Sequence, residues 1–136
     1  MSRKKSREQA FQLIFARSLC HDPIRQIVDT AEMSDDIRID ESAEKAACGV
    51  EEKEALLDDE IRKYIRGWKL ERLSKVSLSL LRLAFYEMRF VDDIPEDISI
   101  SEAVRLAKKF GGASDAPFVN GVLGTAVREK GKKQSG

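Results

Sequence analysis

From Leu73 to Phe90 the chain offers almost no polar face: Val76, Leu78, Leu80, Leu81, Leu83, Ala84, Phe85, Met88 and Phe90 are spread around a helix. A helix that is apolar nearly all round has to be buried. The remaining residues must therefore supply a shell of further elements around it. Arg82 and Glu87 are the exceptions, and a buried charge needs a partner. Their spacing of five is poor for pairing along one helix face. Each is expected to reach a neighbouring element instead.

The shell reads as helical. Residues 3–19 place Phe11, Ile14, Phe15 and Leu19 on one face, with Ala10 and Leu13 beside them. His21 and Pro23 break this pattern, and the lone histidine has no sequence neighbour suited to metal binding or catalysis. Residues 24–33 form a short amphipathic helix through Ile24, Ile27, Val28 and Ala31. A polar connection follows. From Asp40 or Ser42 a longer helical region runs to Trp68, with an interruption expected near Gly49. Leu57, Ile61, Tyr64, Ile65 and Trp68 keep helical spacing there, and Trp68 is expected to pack at the join between two helical layers.

Residues 97–127 read as two helices joined by a glycine turn. Ser99 and Glu102 have capping-box spacing, so a helix is expected to start at Ser99. Ala103, Leu106, Ala107 and Phe110 give it an apolar face. Gly111 and Gly112 are expected to end it through the left-handed C-cap conformation. Ser114 or Asp115 can cap the next helix, and Pro117 is tolerated in its first turn. Phe118, Val119, Val122, Leu123 and Ala126 form the following stripe. Gly121 inside that helix costs about 1 kcal/mol relative to alanine, and close backbone packing is the expected reason.

No strand pattern or fixed-period repeat appears. The expectation is an all-α domain over residues 1–130 of about seven helices in two subdomains, residues 3–68 and 69–130. A basic, disordered tail is expected over 131–136. The basic N-terminus lacks the apolar region of a secretory signal, and Cys20 and Cys48 lack metal-ligand spacing. The cytoplasm, with both thiols free, is the expected location.

Formal charge is zero, but it is segregated: +4 over residues 1–19, −10 over 20–60 and +6 over 61–136. Such a polarised molecule can meet an anionic partner at its basic ends. There is one histidine, no G-x-S-x-G motif and no cysteine with a plausible base. Gly111-Gly112 follows a helix rather than a strand, so it makes no phosphate-cradling loop. No catalytic constellation or cofactor motif is read, which leaves a binding protein. Nucleic acid needs cations for phosphates and planar groups for unstacked bases. Arg3, Lys4, Lys5 and Arg7 supply charge, with Phe15 two turns beyond Arg7. Lys108, Lys109 and Phe118 add to both. From periodicity alone, the core is the favoured place for both Phe15 and Phe118, with a binding surface the alternative.

Three segments in order, RKKSREQAFQLIF, LSLLRLAFYEM leading into DDIPEDISISEA, and SEAVRLAKKFG followed by FVNGVL, resemble the NusB family of bacterial transcription antitermination factors. The resemblance covers the chain, with residues 20–66 its weakest part. It implies the two-subdomain NusB-like fold and a non-enzymatic factor. Such a factor binds the boxA element of nascent ribosomal transcripts with NusE, a small-subunit ribosomal protein, in the RNA polymerase antitermination complex. It also implies that Phe15 and Phe118 lie at the RNA surface, beside the basic N-terminus. Asn120-Gly121 matches the family pattern, with Asn120 either tying its helix to a neighbour or reaching RNA. Two departures stand out: Phe15 replaces a frequent tyrosine, and Ser114 stands where some relatives carry an acid. Relatives occur as monomers and dimers, so a homodimer is open. A detached RNA-binding domain related to RNA cytosine methyltransferases and a helical protein–protein scaffold are the alternatives.

Overall fold

The computed structural model describes residues 2–130 in full and follows the backbone of its last helix to Ser135. Among the described residues there are seven α-helices: α1 (Arg3–Cys20), α2 (Ile24–Glu32), α3 (Glu41–Glu52), α4 (Glu54–Arg62), α5 (Lys75–Phe90), α6 (Glu96–Phe110) and α7 (Asp115–Ser135). A 3-10 turn, Leu70–Arg72, precedes α5. Residue 68, where a division into subdomains is expected, falls in the link between α4 and α5. The expected tail at 131–136 lies outside the residues described in full. Residues 128–130 continue α7.

α5 is the axle. It packs against α1, α3, α4, α6 and α7, and Leu80, Leu81, Leu83 and Ala84 are buried. Its two charges find partners on other elements, as their spacing requires. Arg82 forks onto Asp58 of α4 at 2.8 and 2.9 Å, and Glu87 accepts from Arg7 of α1 and Ser99 of α6. Ser74 caps α5 by accepting the Ser77 N–H, which satisfies one of the helix's free donors.

Several local expectations give way to tertiary demands. The helical region after Asp40 breaks at Lys53, not at Gly49. Gly49 lies inside α3, and glycine is needed there for space, since a Cβ would run into the Tyr86 ring. α6 starts at Glu96 behind Pro95, three residues before Ser99. Glu96 and Asp97 favour the positive end of the helix dipole, while Ser99 and Glu102 are committed to neighbours rather than to a capping box. Gly111 is extended (φ −102°, ψ −173°) rather than left-handed. Glycine is needed there for space, since a Cβ would lie 2.6 Å from Asp115 Oδ2 and 2.8 Å from the Ala107 carbonyl.

Trp68 departs furthest from expectation. Gly67 takes φ +80°, a conformation glycine adopts without steric cost. Beyond this turn Trp68 is 60% exposed, so it is not buried at a join between layers. Gly121 also lacks the expected close packing: no atom lies within 4 Å of where its Cβ would stand.

Candidate nucleic-acid interface

The basic N-terminus is a formed helix end. Ser2 caps α1 by accepting the Lys5 N–H at 3.2 Å, and Arg3, Lys4 and Lys5 are exposed. Arg7 is not. Its guanidinium meets Glu87 at 2.8 Å and Glu102 at 3.3 Å, with all three side chains close to 10% exposed. Arg7 was expected among the RNA-facing cations, and here its guanidinium is engaged by two carboxylates of its own chain. Its donors are taken up internally, and it locks the first turns of α1 onto α5 and α6.

Glu102 organises the charge around it. Arg105 bonds it at 3.0 and 3.3 Å. Burial alone would raise the Glu102 pKa. The Arg105 hydrogen bonds, with the charges of Arg105, Arg7 and Lys4, hold it below the ordinary glutamate value. Lys109 bonds Glu8 of α1 and lies 5.5 Å from the Phe110 ring centre. The first half of α1 and the last half of α6 are thus cross-tied, and the exposed cations Lys4, Lys5, Lys108 and Lys109 ride on the tied elements. Arg105 belongs with them and was missed in the sequence reading. Its spacing of three to Lys108 and four to Lys109 was the available signal.

The aromatic residues divide. Phe15 is half-buried, 5.9 Å from Phe11, which in turn lies 5.2 Å from Phe110. Phe15 therefore edges a ring cluster joining α1 to the end of α6. Phe118 is also half-buried, but it faces Trp68 at 5.8 Å in an edge-on arrangement. Asn120, two residues on, is exposed on a different side of α7, in a groove it shares with Lys108, Arg105, Val104 and Ile100. Arg3 and Lys4 line a further groove of about 680 Å³ against the α5–α6 link. The nine expected residues thus fall on neighbouring surfaces around the ends of α1, α6 and α7, not into one pocket.

The α6–α7 turn that joins these surfaces is held by Asp115. Its carboxylate accepts from Ser74, from Ser77 at 2.6 Å and from the Gly112 N–H at 2.7 Å. Burial opposes its ionisation, but these three hydrogen bonds outweigh burial and keep its pKa low. The start of α7 is thereby pinned to the start of α5. No helix among the described residues is long and apolar enough to cross a membrane.

Fold and surface together define an all-helical protein that presents braced cations and half-exposed aromatic rings around three helix ends, a surface suited to an anionic, ring-bearing chain. The NusB family model matches residues 4–128, and the chain belongs to the NusB family. A transcription antitermination protein NusB of Clostridium botulinum is 38% identical over 144 residues, which span 93% of this chain and 100% of the relative. Among solved structures, T. maritima NusB superposes with a TM-score of 0.82 at 34% identity, covering 95% of this chain and 92% of that one. A NusB chain from a complex of antitermination factors NusB and NusE with double-stranded RNA superposes with a TM-score of 0.81 over 93% of this chain and 96% of that one. At 23% identity this last likeness speaks for the fold.

Proposed function

We propose that this protein is a transcription antitermination factor that binds boxA-like single-stranded RNA of nascent ribosomal transcripts together with NusE, acting in the bacterial cytoplasm as a binding protein without a catalytic step. The observation that carries the reading is the braced cationic crest of Lys4, Lys5, Arg105, Lys108 and Lys109 on α1 and α6. Family membership supplies the biological setting, since the relatives are named as antitermination proteins. Arg3, Phe15, Phe118 and Asn120 extend the proposed surface, while Arg7 holds its scaffold. The patch is limited, so RNA alone is gripped weakly, and NusE enlarges the binding surface.

The test is a titration of boxA-like RNA with and without NusE, comparing the wild-type chain with Lys108→Ala/Lys109→Ala. Tighter binding with NusE and weaker binding by the variant are expected. RNA affinity that ignores both changes would reject the reading.

A further inference from the structure

The link between α4 and α5 carries a feature that the crest on α1 and α6 does not use. Residues 62–75 hold six cations (Arg62, Lys63, Arg66, Lys69, Arg72, Lys75) and one acid, Glu71, a net charge of +5. All six cations are exposed. Among the described residues, Lys69, Arg72 and Lys75 make no ion pair. Trp68 stands in the middle of this run with more than half of its surface open. It borders a shallow groove of about 490 Å³ with Phe118, Pro117, Gly121, Thr125 and Arg66.

Gly121 is the informative residue. A glycine inside a helix is unfavourable unless something approaches its backbone closely. Nothing in the chain does so, because the space over Gly121 is empty for 4 Å. The opening therefore faces the groove, beside the edge-on Trp68–Phe118 pair. An exposed Trp68 ring and a half-buried Phe118 ring beside a bare helix backbone, set in a strongly cationic stretch, are the elements of a stacking site for an unpaired base.

We propose that Trp68, Phe118 and Gly121 form a base-binding notch for single-stranded RNA, and that the cations of residues 62–75 hold the flanking phosphates. The notch rests on the RNA-binding reading and extends it. The start of α5 is bonded to the start of α7 through Ser74, Ser77 and Asp115. The basic link therefore adjoins the α6–α7 turn, and RNA leaving Lys108 and Lys109 meets the notch next. Charge favours RNA over a neutral protein loop, because such a loop would leave Lys69, Arg72 and Lys75 without counter-charges.

The chain has a single tryptophan, so its fluorescence reports on the notch directly. Titration of the full chain with boxA-like single-stranded RNA should quench Trp68 along the same curve as the anisotropy of labelled RNA, while duplex RNA should quench little. Gly121→Ala should melt at or above the wild-type temperature yet bind single-stranded RNA about fivefold or more weakly, the range of one lost stacked base. Trp68→Ala should weaken binding similarly, and Trp68→Phe should retain most of it. RNA binding without quenching, or a Gly121→Ala variant with wild-type affinity, would overturn the notch. So would variants that lose NusE binding while keeping RNA affinity, which would assign the groove to protein. In all three cases weakening by Lys108→Ala/Lys109→Ala would leave the RNA reading standing. A wild-type chain that binds no RNA even with NusE would remove both.

Discussion

Ser79 sits fully buried on α5 with no hydrogen-bond partner for its hydroxyl among the described residues. A buried unsatisfied hydroxyl costs about 1–3 kcal/mol. Ser79→Ala should therefore leave stability unchanged or raise it by up to about 1 kcal/mol, read from urea unfolding. A clear loss would mean that a water or neighbour satisfies the hydroxyl. Phe118 poses the opposite case. It is half-buried and packed on both the core and Trp68, so Phe118→Ala should lose less than the about 3–5 kcal/mol of a fully buried phenylalanine while weakening RNA binding. Phe15→Ala should cost more stability than RNA affinity, because its ring closes the Phe11–Phe110 cluster. At this scale the sequence was legible in residue type and not in residue use. Arg7 looks like one of four N-terminal cations, yet its partners are 80 and 95 residues away, beyond any local pattern. Trp68 keeps the periodicity of α4, but the chain leaves the helix before reaching it.

Elements were easier to read than residues. The all-round apolar pattern of α5 identified the axle of the fold because only a central helix can bury every face. Leu81 is fully buried, and Leu81→Ala should destabilise by about 2–5 kcal/mol. A loss of only a few tenths, measured by denaturant unfolding, would contradict the central position of α5. Helix starts were read less well, since capping residues have other uses once the chain folds. The Ser99 hydroxyl donates to Glu87 at 2.8 Å, across to α5, and Glu102 pairs with Arg7 and Arg105. That same network makes α1 docking sensitive to Arg7. Arg7→Ala would leave Glu87 and Glu102 buried without their shared cation, a loss of about 3–5 kcal/mol. Thermal or chemical unfolding of the variant should show this loss before any RNA is added. A variant of wild-type stability would mean that Arg7 is free to face RNA after all.

On the scale of the whole molecule, charge segregation along the sequence becomes a spatial division of labour. Acids of α3 and α4 receive arginines from the core side: Arg17 meets Glu51 and Glu54, and Arg82 meets Glu54 and Asp58. The lysines of α1 and α6 remain largely turned to solvent. Two carboxylates with lowered pKa, Glu102 and Asp115, hold the surface that carries them. A folded pKa below the unfolded value gives stability that is present above the unfolded pKa. It is lost as pH falls below about 4, the ordinary carboxylate range. Acid should therefore loosen the α1–α6 and α6–α7 ties together. Asp115→Asn should flatten the loss of melting temperature between about pH 5 and pH 3. An unchanged acid profile would take Asp115 out of the linkage.

Ionic strength tests the same division from the side of the ligand. Each phosphate neutralised on single-stranded RNA contributes about −0.7 to the slope of log K against log salt. If Lys4, Lys5, Lys108 and Lys109 together meet about three phosphates, the slope should be near −2. Lys108→Ala/Lys109→Ala should bring it closer to −1, although Lys109 shares its charge with Glu8 and contributes less than a free lysine. The sum of formal charges gives no hint of this dependence, because it is zero. The dependence arises because the lysines of α1 and α6 are exposed, while acids such as Glu51, Glu54 and Asp58 are engaged with arginines elsewhere. A neutralising substitution outside the proposed crest, Lys45→Ala on α3, should leave the slope unchanged and serves as the control. A slope near zero for the wild type would mean that the lysine crest is not the RNA surface. A slope that falls equally for Lys45→Ala would mean that overall charge, rather than the crest on α1 and α6, draws the RNA in.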